Sequence, residues 1–162
     1  MTRFNAQGQR LLRRMLATLI DDATRVLVRL GRRLGRPALA TIPVSAVMLS
    51  RMQTVSVEQP LEDVAQLMVA GRHAELPLVA EGVPVGVVTR SDVTLGLARS
   101  GRHSPVGEAP RHHAITVAPS ESLADVLQKL QQAPESVAIV VDRGTPVGML
   151  TAENLTRYAA DV

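Results

Sequence analysis

The sequence predicts an α/β (α+β) fold of two β-α-β-β-α repeats preceded by a basic amphipathic helix. Three observations carry that expectation. Val44 to Thr94 is written again from Val106 to Thr156, each counterpart lying 62 positions downstream. Within each copy, short β-branched runs alternate with stretches of helical periodicity. Ahead of the copies, apolar residues recur at alternating spacings of four and three among many arginines. An internal repeat of this length indicates two similar units that bury a shared face, so function is sought at their junction. The expected divisions are residues 1–42 (arm and linker), 43–104 (first repeat) and 105–162 (second repeat).

In residues 9–34, Leu12, Leu16, Leu19, Ala23, Val26 and Leu30 share one helical face, which predicts a long amphipathic helix. Gly31, Gly35 and Pro37 end that pattern, and Arg36 to Pro43 reads as a linker. Each repeat then opens with a short strand, Thr54 to Val57 and Ile115 to Val117. A helix follows, signalled by Pro60 in one copy and by Ser120 and Ser122 in the other. Its buried stripe is Leu61, Val64, Ala65 and Met68, and in the copy Leu123, Val126, Leu127 and Leu130. Two strands come next, Leu76 to Ala80 and Val85 to Thr89, with Glu81-Gly82-Val83-Pro84 between them. The copy makes that turn with Arg143-Gly144-Thr145-Pro146. A second helix closes each unit just after Thr89 and Thr151, with Asp92, Glu153 and Asn154 in the first turns.

Composition narrows the functional classes. The 162 residues suit one compact domain or two small repeats with an arm. With no cysteine, structural disulfides and thiolate chemistry are excluded. No apolar run approaches the roughly 18 residues of a membrane span, and no signal peptide follows Met1, so a cytoplasmic protein is expected. Net charge is +3, but residues 1–42 carry nine Arg against Asp21 and Asp22. The basicity belongs to the arm, and the rest of the chain is net acidic.

The Gly-x-x-Thr-x-x-Asp spacing at Gly86, Thr89 and Asp92 has a chemical use. A helix N-terminus presents free N–H groups and a positive dipole end to an anion. Thr89 can donate to a phosphate oxygen, and Asp92, a turn later, can accept from the two hydroxyls of a ribose. The same residues also make an ordinary helix start, with Thr as N-cap and Asp in the first turn.

The whole repeat resembles the CBS domain family, as a tandem pair of the kind called a Bateman module. The resemblance covers Pro43 to Val162 and rests on the order of elements, on the apolar strands Glu75-Leu76-Pro77-Leu78-Val79 and Val137-Ala138-Ile139-Val140-Val141, and on the Pro-Val-Gly-x-x-Thr endings. It implies a disc in which the repeats are related by pseudo-two-fold symmetry, with two clefts that bind adenosine-containing ligands such as AMP, ADP, ATP or S-adenosylmethionine, in a regulatory and non-catalytic role. Carried over by position, the first cleft takes Thr89 and Asp92, with Ile115, Ser136, Val137 and Ala138 against the base. The second takes Thr151 and Asn154, with Gln53, Ala74, Glu75 and Leu76 opposite. Asn154 is a weaker hydroxyl partner than a carboxylate, so the ligand is expected to prefer the Asp92 cleft. Neither cleft shows the Arg or His that meets phosphates in the family.

The arm admits three uses: packing on the repeats or on a second chain as a homodimer, attraction to an anionic membrane surface through residues 9–34, and nucleic-acid binding. The last is disfavoured because no recognition motif accompanies the charge. Peripheral attachment to a membrane would then qualify the cytoplasmic location. The segment Gln7-Gly8-Gln9-Arg10-Leu11-Leu12-Arg13 is also similar to the Asp-Gly-Gly-Arg-Val-Leu-Arg segment of site-2-type intramembrane metalloproteases, many of which end in a CBS pair. Gln7 stands at their zinc-binding aspartate position and no His-Glu-x-x-His occurs, so proteolysis is excluded. His112 and His113 read as surface-loop residues, since adjacent histidines lack the spacing of common zinc sites. No nucleophile motif is present, and no catalytic or metal residue is expected. The expected role is a nucleotide-sensing module acting on an effector protein, with a purely structural or membrane-surface adaptor with empty clefts as the alternative.

Overall fold

In the computed structural model, residues 24–133 and 136–162 are described, Ser136 by its backbone alone. The part of the predicted arm helix before residue 24, and the protease-like segment from Gln7, lie outside them. The described residues begin with helix α1 (24–34) and continue through α2 (Arg36–Leu39). The first repeat holds β1 (Val55–Ser56), α3 (Leu61–Gly71), β2 (Glu75–Ala80), β3 (Val83–Thr89) and α4 (Arg90–Ser100). The second holds β4 (His113–Val117), α5 (Leu123–Gln132), β5 (Ser136–Asp142), β6 (Thr145–Met149) and α6 (Ala152–Asp161).

Each repeat forms its own three-stranded sheet, β1-β2-β3 and β4-β5-β6. The first strand pairs parallel with the second, which pairs antiparallel with the third. The offset of 62 survives in the pairing: Val55 faces Leu78 as Val117 faces Val140, and both hairpins carry an irregularity just after Leu78 and Val140. The turns are tighter than the sequence reading made them. Only Glu81-Gly82 and Arg143-Gly144 lie outside the strands, all four with positive φ. That two-residue geometry matches the strand twist and favours Gly in second place, so Val83, Pro84, Thr145 and Pro146 belong to strands.

The helices bury the stripes expected of them, except that Ala65 is only half-buried against the first core. Leu61, Val64 and Met68 join Val55, Leu76, Leu78, Val88 and Val93 in the first core. Leu123, Val126, Leu127 and Leu130 join Val117, Ala138, Val140, Leu150 and Leu155 in the second. Between the sheets, Val87, Ile139 and Met149 make a smaller apolar contact that joins the repeats.

The segments leading into each repeat are exchanged. Val44 and Val47, ahead of β1, are buried in the second core, whereas Val106 and Ala109, ahead of β4, are buried in the first. Backbone bonds hold both crossings: Val44 N–H donates to Glu121 O at 2.8 Å, and Val106 N–H to Gln59 O at 2.8 Å. The crossings also supply acceptors for helix N-terminal N–H groups that have no partner inside their helices, Leu61 to Ser104 O and Leu123 to Ile42 O, each at 2.9 Å.

The described part of the arm is integral to the second repeat. Leu27, Leu30 and Leu39 are buried in the second core, and Arg33 donates to Ala159 O at 3.0 Å and Val162 O at 2.9 Å at the end of α6. A cation there satisfies carbonyls left open by the helix and complements its dipole. Among the described residues, the first repeat has no such wedge. Its α4 packs directly on α3 at Gly96, where an added Cβ would lie 2.9 Å from the Ala109 Cβ and 3.1 Å from Leu61 Cδ1. Two sequence expectations are corrected here. The helix runs through Gly31 and stops at Gly35, whose φ is 84°, and the supposed linker contains α2, held because its Leu39 is a core residue.

Candidate functional site

The junction of β3 and α4 forms the helix start that its sequence allows. Thr89 is the N-cap: its Oγ1 accepts from Asp92 N–H at 3.3 Å, and Thr89 N–H donates to Asp92 Oδ2 at 2.8 Å. This reciprocal arrangement is a capping box. The Thr89 hydroxyl also donates to Oδ2 at 2.8 Å, and His112 Nε2 lies 3.1 Å from the same oxygen. Asp92 is 2% exposed and His112 9%. The carboxylate expected to hold a ribose is therefore turned inward, onto a histidine of the other repeat's lead segment.

His112 corrects the surface-loop reading of the histidine pair. His113 is exposed at the head of β4, but His112 exchanges two backbone hydrogen bonds with Val87, at 2.8 and 3.0 Å. Its carbonyl oxygen would lie 2.7 Å from a Cβ at position 86, so Gly86 is what allows the segment to approach β3. In the second repeat the corresponding exchange is between Leu49 and Met149, at 2.8 and 3.1 Å. Leu49 and His112 are 63 positions apart, not 62. The gapless repeat thus hides a one-residue slip: the residue bonded to β3 is the histidine that meets Asp92, whereas the one bonded to β6 is a leucine.

At the junction of β6 and α6, Thr151 is the N-cap, its Oγ1 accepting from Asn154 N–H at 3.1 Å. Here an open cleft of about 520 Å³ is present. Thr151, Asn154, Ala74 and Glu75 line it together, four of the six residues expected of the second cleft. Gln53 is exposed outside this lining, and Leu76 is sealed in the first core. Thr89 lines the same cleft, with Arg90 and Ser91 after it, so the N-terminal ends of α4 and α6 border one space.

The cleft is basic, which overturns the expectation of no Arg or His. Arg51, Arg72, His73, Arg90 and Arg157 are in its wall, against Glu75 and Glu153. Arg157 is paired with Glu153 at 2.9 Å, and Arg90 Nε donates to His73 O at 2.9 Å. Among the described residues, Arg51 and Arg72 have no ion-pair partner. Arg72 sits in the left-handed conformation that ends α3, with φ of 53°, and the termination of that helix sets its place. No motif marked these arginines because they come from a lead segment, the end of α3, the start of α4 and the middle of α6.

Of the remaining residues expected around a base in the first cleft, Ile115 and Ala138 are register partners on β4 and β5. Ala138 is closed off in the second core, Ile115 is half-buried against it, and Val137 faces the apolar contact between the sheets. Ser136 opens β5 opposite His113. Among the described residues, no group of three metal-ligating side chains converges, and no helix is long and apolar enough to cross a membrane.

Comparison with known proteins agrees with this architecture. The chain is 29% identical over 114 residues to the CBS domain-containing protein YhcV of Bacillus subtilis (strain 168), across 69% of this chain and 81% of that one. It superposes on the CBS domain of the bacterial CNNM/CorC family Mg2+ transporter in complex with ATP, with TM-score 0.65 and 25% identity, covering 76% of this chain and 91% of that one. It likewise matches CBSX2 in complex with AMP, with TM-score 0.58 and 25% identity, covering 74% and 97%. The pattern of the CBS domain matches twice, over residues 44–99 and 106–161, and with two such units exchanging their lead segments the chain belongs to the CBS domain family.

Proposed function

We propose that this chain is a regulatory, non-catalytic module that binds an adenosine nucleotide in the open cleft between the N-terminal ends of α4 and α6. The observation that carries the reading is the presence of Arg51, Arg72, Arg90 and Arg157 in the same wall as Thr151 and Asn154. A volume of about 520 Å³ is of the size that small-molecule sites use. Phosphates would meet the guanidinium groups and the N–H groups opening α6, which together favour an anion. Asn154 offers both a donor and an acceptor to ribose hydroxyls. Leu49 and Met149 supply apolar surface for the base, and the lining contains no Phe, Tyr or Trp to stack on it. Two CBS structures of 25% identity, solved with ATP and with AMP, support the ligand class.

This assignment departs from the sequence expectation that the Asp92 cleft is preferred. Asp92 is buried, and its Oδ2 is held by Thr89 and faces His112, so the carboxylate has to be uncovered before it serves a ribose. Occupancy regulates only if the ligand binds one arrangement of the repeats better than another. Titration calorimetry with ATP and AMP tests the site. Arg51→Ala, Arg72→Ala and Asn154→Ala are expected to weaken binding, and Asp92→Asn to leave it within a factor of two or so. Loss of binding in Asp92→Asn alone would move the ligand to the other cleft. Absence of both heat and thermal shift at millimolar nucleotide would leave the structural scaffold as the function.

A further inference from the structure

The arm contains a charged surface that the nucleotide cleft does not use. From 24 to 42 the chain holds Arg25, Arg29, Arg32, Arg33 and Arg36 and no acidic residue. Arg33 is committed to the end of α6. Arg25, Arg29 and Arg32 are spaced by four and three along α1, so they share one face, and all three are exposed. Leu27 and Leu30 occupy the opposite face and are buried in the second core. The helix is consequently fixed with its cationic side outward. Arg36, exposed as well, extends the charge beyond Gly35.

We propose that this ridge docks the module on an anionic lipid surface, at the level of the headgroups. With its apolar face occupied, α1 cannot bury that face among acyl chains as a free amphipathic helix would. What remains is attraction between fixed guanidinium groups and acidic headgroups. Lipid is favoured over nucleic acid by three observations. The same basic amphipathic pattern continues upstream in the sequence, with Arg10, Arg13 and Arg14 beside Leu12, Leu16 and Leu19. The chain has one Tyr, one Phe and no Trp with which to stack bases. Beyond residue 42 the chain is net acidic, so a polyanion following its contours would meet repulsion that a plane touching only the ridge avoids.

Flotation of the full chain with phosphatidylcholine vesicles, with and without about 30% phosphatidylglycerol, tests the proposal. Binding is expected only to the anionic vesicles and is expected to fall steeply between about 0.1 and 0.5 M salt. Arg29→Gln/Arg32→Gln should lower vesicle partition roughly 30-fold, taking the usual gain per basic residue near such a surface. Arg29→Lys/Arg32→Lys should retain it, because charge and not guanidinium geometry is being read. Thermal melts of each variant matching the wild type show that the fold is intact, and these exposed positions should leave it so. No flotation of the wild type, equal flotation of the Gln variant, or loss in the Lys variant would overturn the proposal. Preferential capture by a 20-base-pair DNA duplex in competition would replace the lipid with nucleic acid.

Discussion

Asp92 and His112 meet side chain to side chain at 3.1 Å, one from the start of α4 and the other from the segment that crosses over to β3. Both are nearly closed to solvent. A contact this buried ties the lead segment of one repeat to the helix of the other, and its loss leaves a buried carboxylate with Thr89 and without the imidazole. His112→Ala is expected to destabilise the protein by about 1–3 kcal/mol. In an Asp92→Asn background the same change should cost less, because the carboxylate it served is gone. Urea denaturation of the four variants as a double-mutant cycle reads the difference. Equal costs in the two backgrounds would mean that the pair is a neighbourhood without an interaction.

Leu27 tests whether the arm is structure or appendage. It is fully buried among residues of the second core, and truncation of such a leucine typically costs about 2–5 kcal/mol. Leu27→Ala should therefore lower the midpoint of the single unfolding transition. A loosely attached arm would give less than about 0.5 kcal/mol, as surface substitutions do.

Glu121 contributes a dependence on acid. Partial burial raises its pKa, but the Lys129 ammonium at 2.6 Å and the Ala118 N–H at 3.0 Å outweigh that and hold it below its ordinary 4.5. A depressed carboxylate stabilises the fold above its unfolded pKa and loses that contribution as pH falls through the folded value. The stabilisation is therefore expected to be present at neutral pH and to fade below about pH 4.5. Its size is modest, since Glu121 is open to solvent on one side. Melting temperatures of Glu121→Gln and wild type should converge as the pH drops through that range. The carbonyl of Glu121 receives the Val44 N–H, so weakening this turn also loosens the crossing.

The architecture was legible because two kinds of signal were repeated. Apolar stripes such as Leu61, Val64 and Met68 announce a buried helix face in one copy, and Leu123, Val126 and Leu130 announce it again. Thr89 and Thr151 likewise mark two helix starts, both observed as N-caps. The site was less legible for a geometric reason. Arg51, Arg72, Arg90 and Arg157 are far apart in sequence and converge because the exchanged segment, the end of α3, the start of α4 and α6 meet in one place. His112 was obscured by the constancy of the offset. An insertion compensated within a few residues leaves the flanking matches intact while moving one side chain by a full position.

The exchange of lead segments makes the unit of inheritance different from the unit of folding. Residues 44–99 match one whole CBS domain, yet Val44 and Val47 are shaped for a core that this copy does not contain, and Val106 and Ala109, which complete its own, lie outside it. A half-length chain expressed alone would have a spare hydrophobic strap and an unfilled slot. Two identical halves trading straps would satisfy both, so a duplication that fused them had a closed, self-complementary assembly to start from.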